Sequence, residues 1–107
     1  MFYFNRVILA GKLRDGPEVR YTSGGKPVIF FTLSLPSEKM EEGVFPFEDV
    51  SIRVMFSGEG SELWAKDKAE GGNVLVEGGL IQRRWQTQQG RIKKEIGVIA
   101  HKVRDLR

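Results

Sequence analysis

Apolar and polar residues alternate with a period of two through most of this chain, the pattern of strands that bury one face. From Arg6 to Leu13, Val7, Leu9 and Leu13 share a face with Gly11, while Arg6, Ile8, Ala10 and Lys12 share the other. This segment is the first predicted strand. Asp15-Gly16-Pro17 and Ser23-Gly24-Gly25-Lys26-Pro27 carry turn chemistry, because Gly supplies unusual dihedrals and Pro fixes its own. Glu18 to Tyr21, between them, is predicted as a brief strand or an extended connector. In Val28–Leu35, Ile29, Phe31, Leu33 and Leu35 make a wholly apolar face, and Val28, Phe30, Thr32 and Ser34 point the other way. In Val50–Ser57, Val50, Ile52, Val54 and Phe56 are predicted inward, and Ser51, Arg53, Met55 and Ser57 outward.

The period changes once. Ser61 is a suitable N-cap for a short helix running to Glu70 and stopped by Gly71-Gly72, with Leu63 and Trp64 as its expected buried contacts. Two further strands, Asn73–Trp85 and Arg91–Val103, flank a polar hairpin from Gln86 to Gly90. An all-β domain with five long strands and one short helix between the third and fourth predicts the five-stranded Greek-key barrel of the OB fold. An SH3-like barrel also has five strands, but it lacks a helix at that point. The fold alone names no ligand.

Composition narrows the function classes. The 107 residues make a single domain, 1–107, since so short a chain cannot support two separate cores. There is no cysteine and one histidine, His101, which leaves out disulfides and thiolate chemistry and gives little for a metal or a His-based acid–base pair. No metal or cofactor is expected. No apolar run approaches the roughly 20 residues of a membrane helix, and the N-terminus lacks the features of a secretory signal, so a cytoplasmic protein with no membrane partner is expected. Catalysis is not expected either, since no phosphate loop, nucleophile elbow or carboxylate pair is apparent. The net charge is only +3, but from Arg83 to Arg107 eight basic residues face two acidic ones. A basic C-terminal quarter on an otherwise slightly acidic domain is the linear signature of a polyanion-binding face, or of a solvated pair of strands.

Specific segments then carry a resemblance. Asn5-Arg6-Val7-Ile8-Leu9-Ala10-Gly11-Lys12-Leu13, Asp15-Gly16-Pro17-Glu18-Val19-Arg20-Tyr21, Arg53-Val54-Met55-Phe56-Ser57-Gly58, Val74 to Leu80 and Arg83-Arg84-Trp85 occur in this order. Together they resemble the bacterial single-stranded DNA-binding protein family over nearly the whole chain. The resemblance implies a homodimer or homotetramer that stacks bases of single-stranded DNA or RNA on aromatic side chains and follows phosphates with Lys and Arg. Replication proteins are implied as further partners. Ser51 and Ser57 stand where the family's third-strand aromatics would be, and the loop aromatic falls near Lys39 or Met40. Trp85 is the aromatic that this chain retains. No acidic tail is expected after Arg107, and a tail-less barrel with fewer aromatics also resembles the primosomal replication protein N branch. An OB module that binds only protein is the third alternative.

The candidate binding residues follow. Trp85, isolated in a polar hairpin, stacks a ligand, touches another subunit or packs locally. Phe30, outward beside Thr32 and near Met55, stacks a base or covers an oligomer seam. Arg53, Arg83, Arg84, Arg91, Lys93 and Lys94 are candidates for phosphate contact, read as lying on one side of the barrel. Glu38, Glu41, Glu42, Glu48 and Asp49 would oppose binding at the loop before the third strand, where Phe45 and Phe47 stack bases or, in the preferred reading, pin the loop to the barrel. Phe4, Arg6, Ile8 and Ala10 are the expected self-association surface, because Ile8 and Ala10 face outward behind the apolar Phe2-Tyr3-Phe4.

Overall fold

The inward faces of these strands meet in one core. In the computed structural model, which describes residues 2–37, 48–68 and 72–106, Leu13, Ile29, Phe31, Leu33, Val54, Val76 and Val98 are fully buried. Each such side chain contributes roughly 1.5–3 kcal/mol through removal from water. The strands around them are β1 (Val7–Tyr21), β2 (Pro27–Leu35), β3 (Val50–Ser57), β4 (Asn73–Gln86) and β5 (Ile92–Leu106), with helix α1 (Ser61–Lys66) between β3 and β4. They close a barrel in the order β1-β2-β3-β5-β4. All neighbouring pairs are antiparallel except β3 with β5. This is the expected five-stranded OB architecture. No helix among the described residues is long and apolar enough to cross a membrane.

The barrel corrects the reading of its first strand. Asp15-Gly16-Pro17 is not a turn between two strands but an irregular bend inside β1, with the register shifting on both sides of Asp15. Gly16 sits at φ +97°, and a Cβ there would come within 2.8 Å of the Phe30 carbonyl oxygen, so the bend requires glycine. Its effect is topological: β1 pairs with β4 through Val7–Lys12 and with β2 through Lys12–Tyr21. Glu18–Tyr21 is therefore full barrel wall. A second irregularity falls at Gly78, where β4 and β5 approach so closely that a Cβ would collide with the Ile99 carbonyl.

The helix also differs from expectation. Gly60, in the left-handed region at φ 83°, is the N-cap, and Ser61 is the first helical residue, fully buried. The helix ends at Lys66, short of Glu70. Residues 69–71, and so the expected Gly71 stop, lie outside the described residues. Trp64 packs as expected, its ring 5.5 Å from Phe31 and edge-on 6.0 Å from Phe56. Leu63 does not: it is 68% exposed, because Ser61 and Ala65 occupy the buried face of this short helix. Val50 also departs from the predicted inward set, being 49% exposed at the open end of β3.

Past Ile81 and the Gly97 opposite it, the last β5 residue in that direction to pair with β3, β4 and β5 continue as a two-stranded ribbon paired out to Gln86 and Ile92. β1 stops pairing at Val7 with Gly78, and the Asn5 side chain bonds both the Leu80 N–H and its carbonyl at 2.8 Å. The ribbon thus projects from the barrel and ends in a turn, where the Thr87 N–H donates to the Arg91 carbonyl at 2.8 Å.

Candidate nucleic-acid interface

Strand register brings most of the predicted residues onto one outer face. Directly paired residues present their side chains on the same side of a sheet, and residues two apart along a strand share that side. Phe30 pairs with Met55 and Thr32 with Arg53. Met55 pairs onward with Ile99, and Arg53 with Gly97. Those positions face Gly79 and Ile81 on β4, and two steps further along β4 come Arg83 and Trp85, opposite Glu95 and Lys93. One strip therefore runs across the barrel wall from Phe30 and out along the ribbon to Trp85.

The two ends of the strip are built differently. At the barrel end, the guanidinium groups of Arg20 and Arg53 lie over the Phe30 ring, 5.0 and 5.6 Å from its centroid. Arg20 and Arg53 both donate to Glu18, at 2.9 and 3.3 Å. These bonds, that from Arg20 first, hold the Glu18 carboxyl below the usual carboxylate range. At the ribbon end, Trp85 is 40% exposed and the Arg83 guanidinium lies 5.7 Å from its ring centroid.

Several expected site residues are placed otherwise. Thr32 faces outward but is only 8% exposed, lying under Arg53, whose Nη1 donates to Thr32 Oγ1 at 3.4 Å. It supports Arg53 and is not available for contact. Arg84 and Lys94 pair with each other on the reverse side of the ribbon from Trp85, one residue out of phase. The six cations are therefore not on one side: Arg53, Arg83 and Lys93 share the strip, while Arg91 sits at the turn. Of the acidic loop, residues 38–47, including Phe45 and Phe47, lie outside the described residues, and its base is tied by the Ser37 N–H to Asp49 at 2.8 Å.

Glu18 and Arg20 were not among the sequence candidates. Their placement opposite Phe30 and Val28 depends on β1 continuing through Pro17, and a Gly-Pro pair reads locally as a turn. Ile81 and Ile99 were also missed, although alternation from Trp85 and from Ala100 would have put both on the outer face. The self-association candidates are exposed as expected: Phe4 is 81% and Ile8 57% accessible, Ala10 is exposed, and Arg6 pairs with Glu77 at 3.4 Å.

A closed OB barrel carrying aromatic and cationic side chains along its outer wall defines an oligonucleotide-binding type of protein. The chain matches the Single-strand binding protein family over residues 4–106, and it belongs to that family. It is 33% identical over 105 residues to a single-stranded DNA-binding protein of Thermotoga maritima, covering 97% of this chain and 74% of that protein. A single-stranded DNA-binding protein of Aquifex aeolicus is 35% identical over 101 residues, covering 94% of this chain and 68% of that one. Among solved structures, the Plasmodium falciparum SSB in complex with ssDNA shares the fold with a TM-score of 0.83 at 20% identity, over 100% of this chain and 98% of that chain.

Proposed function

We propose that this member of the single-strand binding family holds single-stranded DNA along the strip from Phe30 to Trp85, without strong sequence preference, in DNA replication, recombination or repair. The observation that carries the reading is register: Phe30, Met55, Ile99, Ile81, Arg83 and Trp85 share one continuous outer face. Bases stack on Phe30 and Trp85, the aliphatic side chains between them give an apolar floor, and Arg83 and Lys93 meet phosphates. Stacking and phosphate pairing need no reacting group, so the role is binding and not catalysis, in the bacterial cytoplasm. Fluorescence titration with dT oligonucleotides of increasing length at two salt concentrations tests this, with duplex DNA and oligo-U as competitors. Single strands should bind better than duplex of equal length, and affinity should fall with log salt. Equal affinity for duplex would contradict the stacking model.

A second surface supports self-association. Phe2, Tyr3, Phe4 and Ile8 are among the most exposed large apolar residues of the chain, which is more than an isolated domain of this size ordinarily leaves to water. We assign Phe4, Arg6, Ile8 and Ala10 to a symmetric contact between copies, giving a homodimer or a doubled homotetramer. Light scattering at micromolar concentration should give a multiple of 12.1 kDa; a monomer would contradict it.

A further inference from the structure

The barrel end of the strip contains an anion of its own. Glu18 stands opposite Phe30 in the β1–β2 register, and its two carboxylate oxygens are divided between two arginines: Oε1 takes Arg20 Nε at 2.9 Å and Oε2 takes Arg53 Nη2 at 3.3 Å. Both guanidinium groups are at the same time the cations nearest the Phe30 ring. A carboxylate accepting from two guanidinium groups carries the same single negative charge as a nucleic-acid phosphodiester and, like it, offers two oxygens to guanidinium donors. We infer that Glu18 is a built-in competitor for backbone phosphate, occupying Arg20 and Arg53 in the free protein and giving them up as a single strand settles on Phe30. The inference rests on the binding face proposed above.

Its consequence is a limit on affinity at this station. With Glu18 present the cluster carries one net positive charge and neutralises at most one phosphate; without the carboxylate it neutralises two. Holding Arg20 and Arg53 over Phe30 while the strand is absent keeps the aromatic covered by cations already in place, so the strand exchanges one anion for another.

The test is Glu18→Gln, which keeps the side chain's size and removes its charge. One additional phosphate contact on a single strand steepens the log–log salt slope by up to about 0.7, which corresponds to up to about eightfold tighter dT binding at 50 mM salt and about threefold at 200 mM, with the gain vanishing near 1 M. Glu18 is exposed, and a thermal melt confirms that the variant is folded. The second arm uses an uncharged methylphosphonate dT oligomer of the same length, on which the gain should disappear. Unchanged or weaker dT binding by Glu18→Gln would overturn the inference and make Glu18 a positioning residue for the arginines. A gain equally large on the uncharged oligomer would overturn it as well. If the parent protein bound dT no better than duplex, the binding face itself would fall and the inference with it, which separates that failure from the other two.

Discussion

Phe30 and Trp85 are aromatic stations on the same outer face, yet their surroundings differ. Phe30 lies on the closed barrel, backed by fully buried Ile29 and Phe31, with two arginines fixed over it by a shared carboxylate. Trp85 lies near the tip of a ribbon that leaves the barrel beyond Ile81, and its neighbour Arg83 makes no ion pair among the described residues. A ribbon with water on both faces opens and bends more readily than barrel wall. The rigid station is therefore preorganised but electrically compensated, and the pliant one keeps its cations available. On the proposed path of the strand, the same aromatic–arginine pairing would be a fixed platform in one place and a more pliant one in the other.

The largest expected effect comes from removing both stations. Phe30→Ala with Trp85→Ala should cost the sum of two stacking contacts, ~2–6 kcal/mol of dT binding, because side chains on separate strands with no shared partner act nearly independently. A cost no larger than either single change would show that only one station touches the strand. Trp85→Ala alone should weaken binding by ~1–3 kcal/mol, about 5- to 150-fold, at every salt concentration while leaving the salt slope in place.

A smaller effect sharpens the contrast between the faces of the ribbon. Arg83→Ala should lower the salt slope by up to ~0.7, the increment for one phosphate on a single strand. Arg84→Ala, on the reverse face, should lower it by less. Equal slopes for the two variants, measured by titration at several salt concentrations, would mean that the strand wraps the ribbon and does not follow one side.

The smallest effect lies outside both stations and serves as a control on barrel integrity. Lys68 bonds the Asp105 carboxylate, and the Trp64 indole N–H donates to it at 3.0 Å, tying the region after α1 to the end of β5. The Lys68 bond first, then that of Trp64, holds the Asp105 carboxyl below its ordinary value. A carboxyl lowered in the folded state adds stability that is complete above its unfolded pKa of about 4 and is lost as pH falls through the lower folded value. Because the Asp105 side chain is 47% exposed, solvent screening keeps the contribution to about 1 kcal/mol or less. Urea unfolding of the parent and of Asp105→Asn should differ by that amount near pH 6 and converge near pH 2. A constant difference across that range would place the effect in packing.

Much of this molecule was legible in its alternation. The inward sets of β2 and the middle of β3 follow a strict period of two, and so does the outward placement of Phe30, Arg53 and Met55. The split between Arg83 and Arg84 was legible too, since neighbours on a strand cannot share a face, but counting charge by segment hid it. Other features depend on contacts that no local pattern encodes. Asp15-Gly16-Pro17 has the composition of a turn, and only closure of the barrel makes it a bend within a strand serving two neighbours. Thr32 is outward by period and buried by Arg53 lying across it. The six residues of α1 are too few for a helical period to decide between Leu63 and Ala65.

Photocrosslinking reads the path of the strand from Phe30 to Trp85. A dT oligonucleotide carrying iodouracil at successive positions, irradiated in complex with the protein and followed by peptide mapping, should give adducts on Trp85 and on Phe30 or its neighbour Met55. Adducts confined to Phe2, Tyr3 and Phe4, with none on the strip, would contradict it.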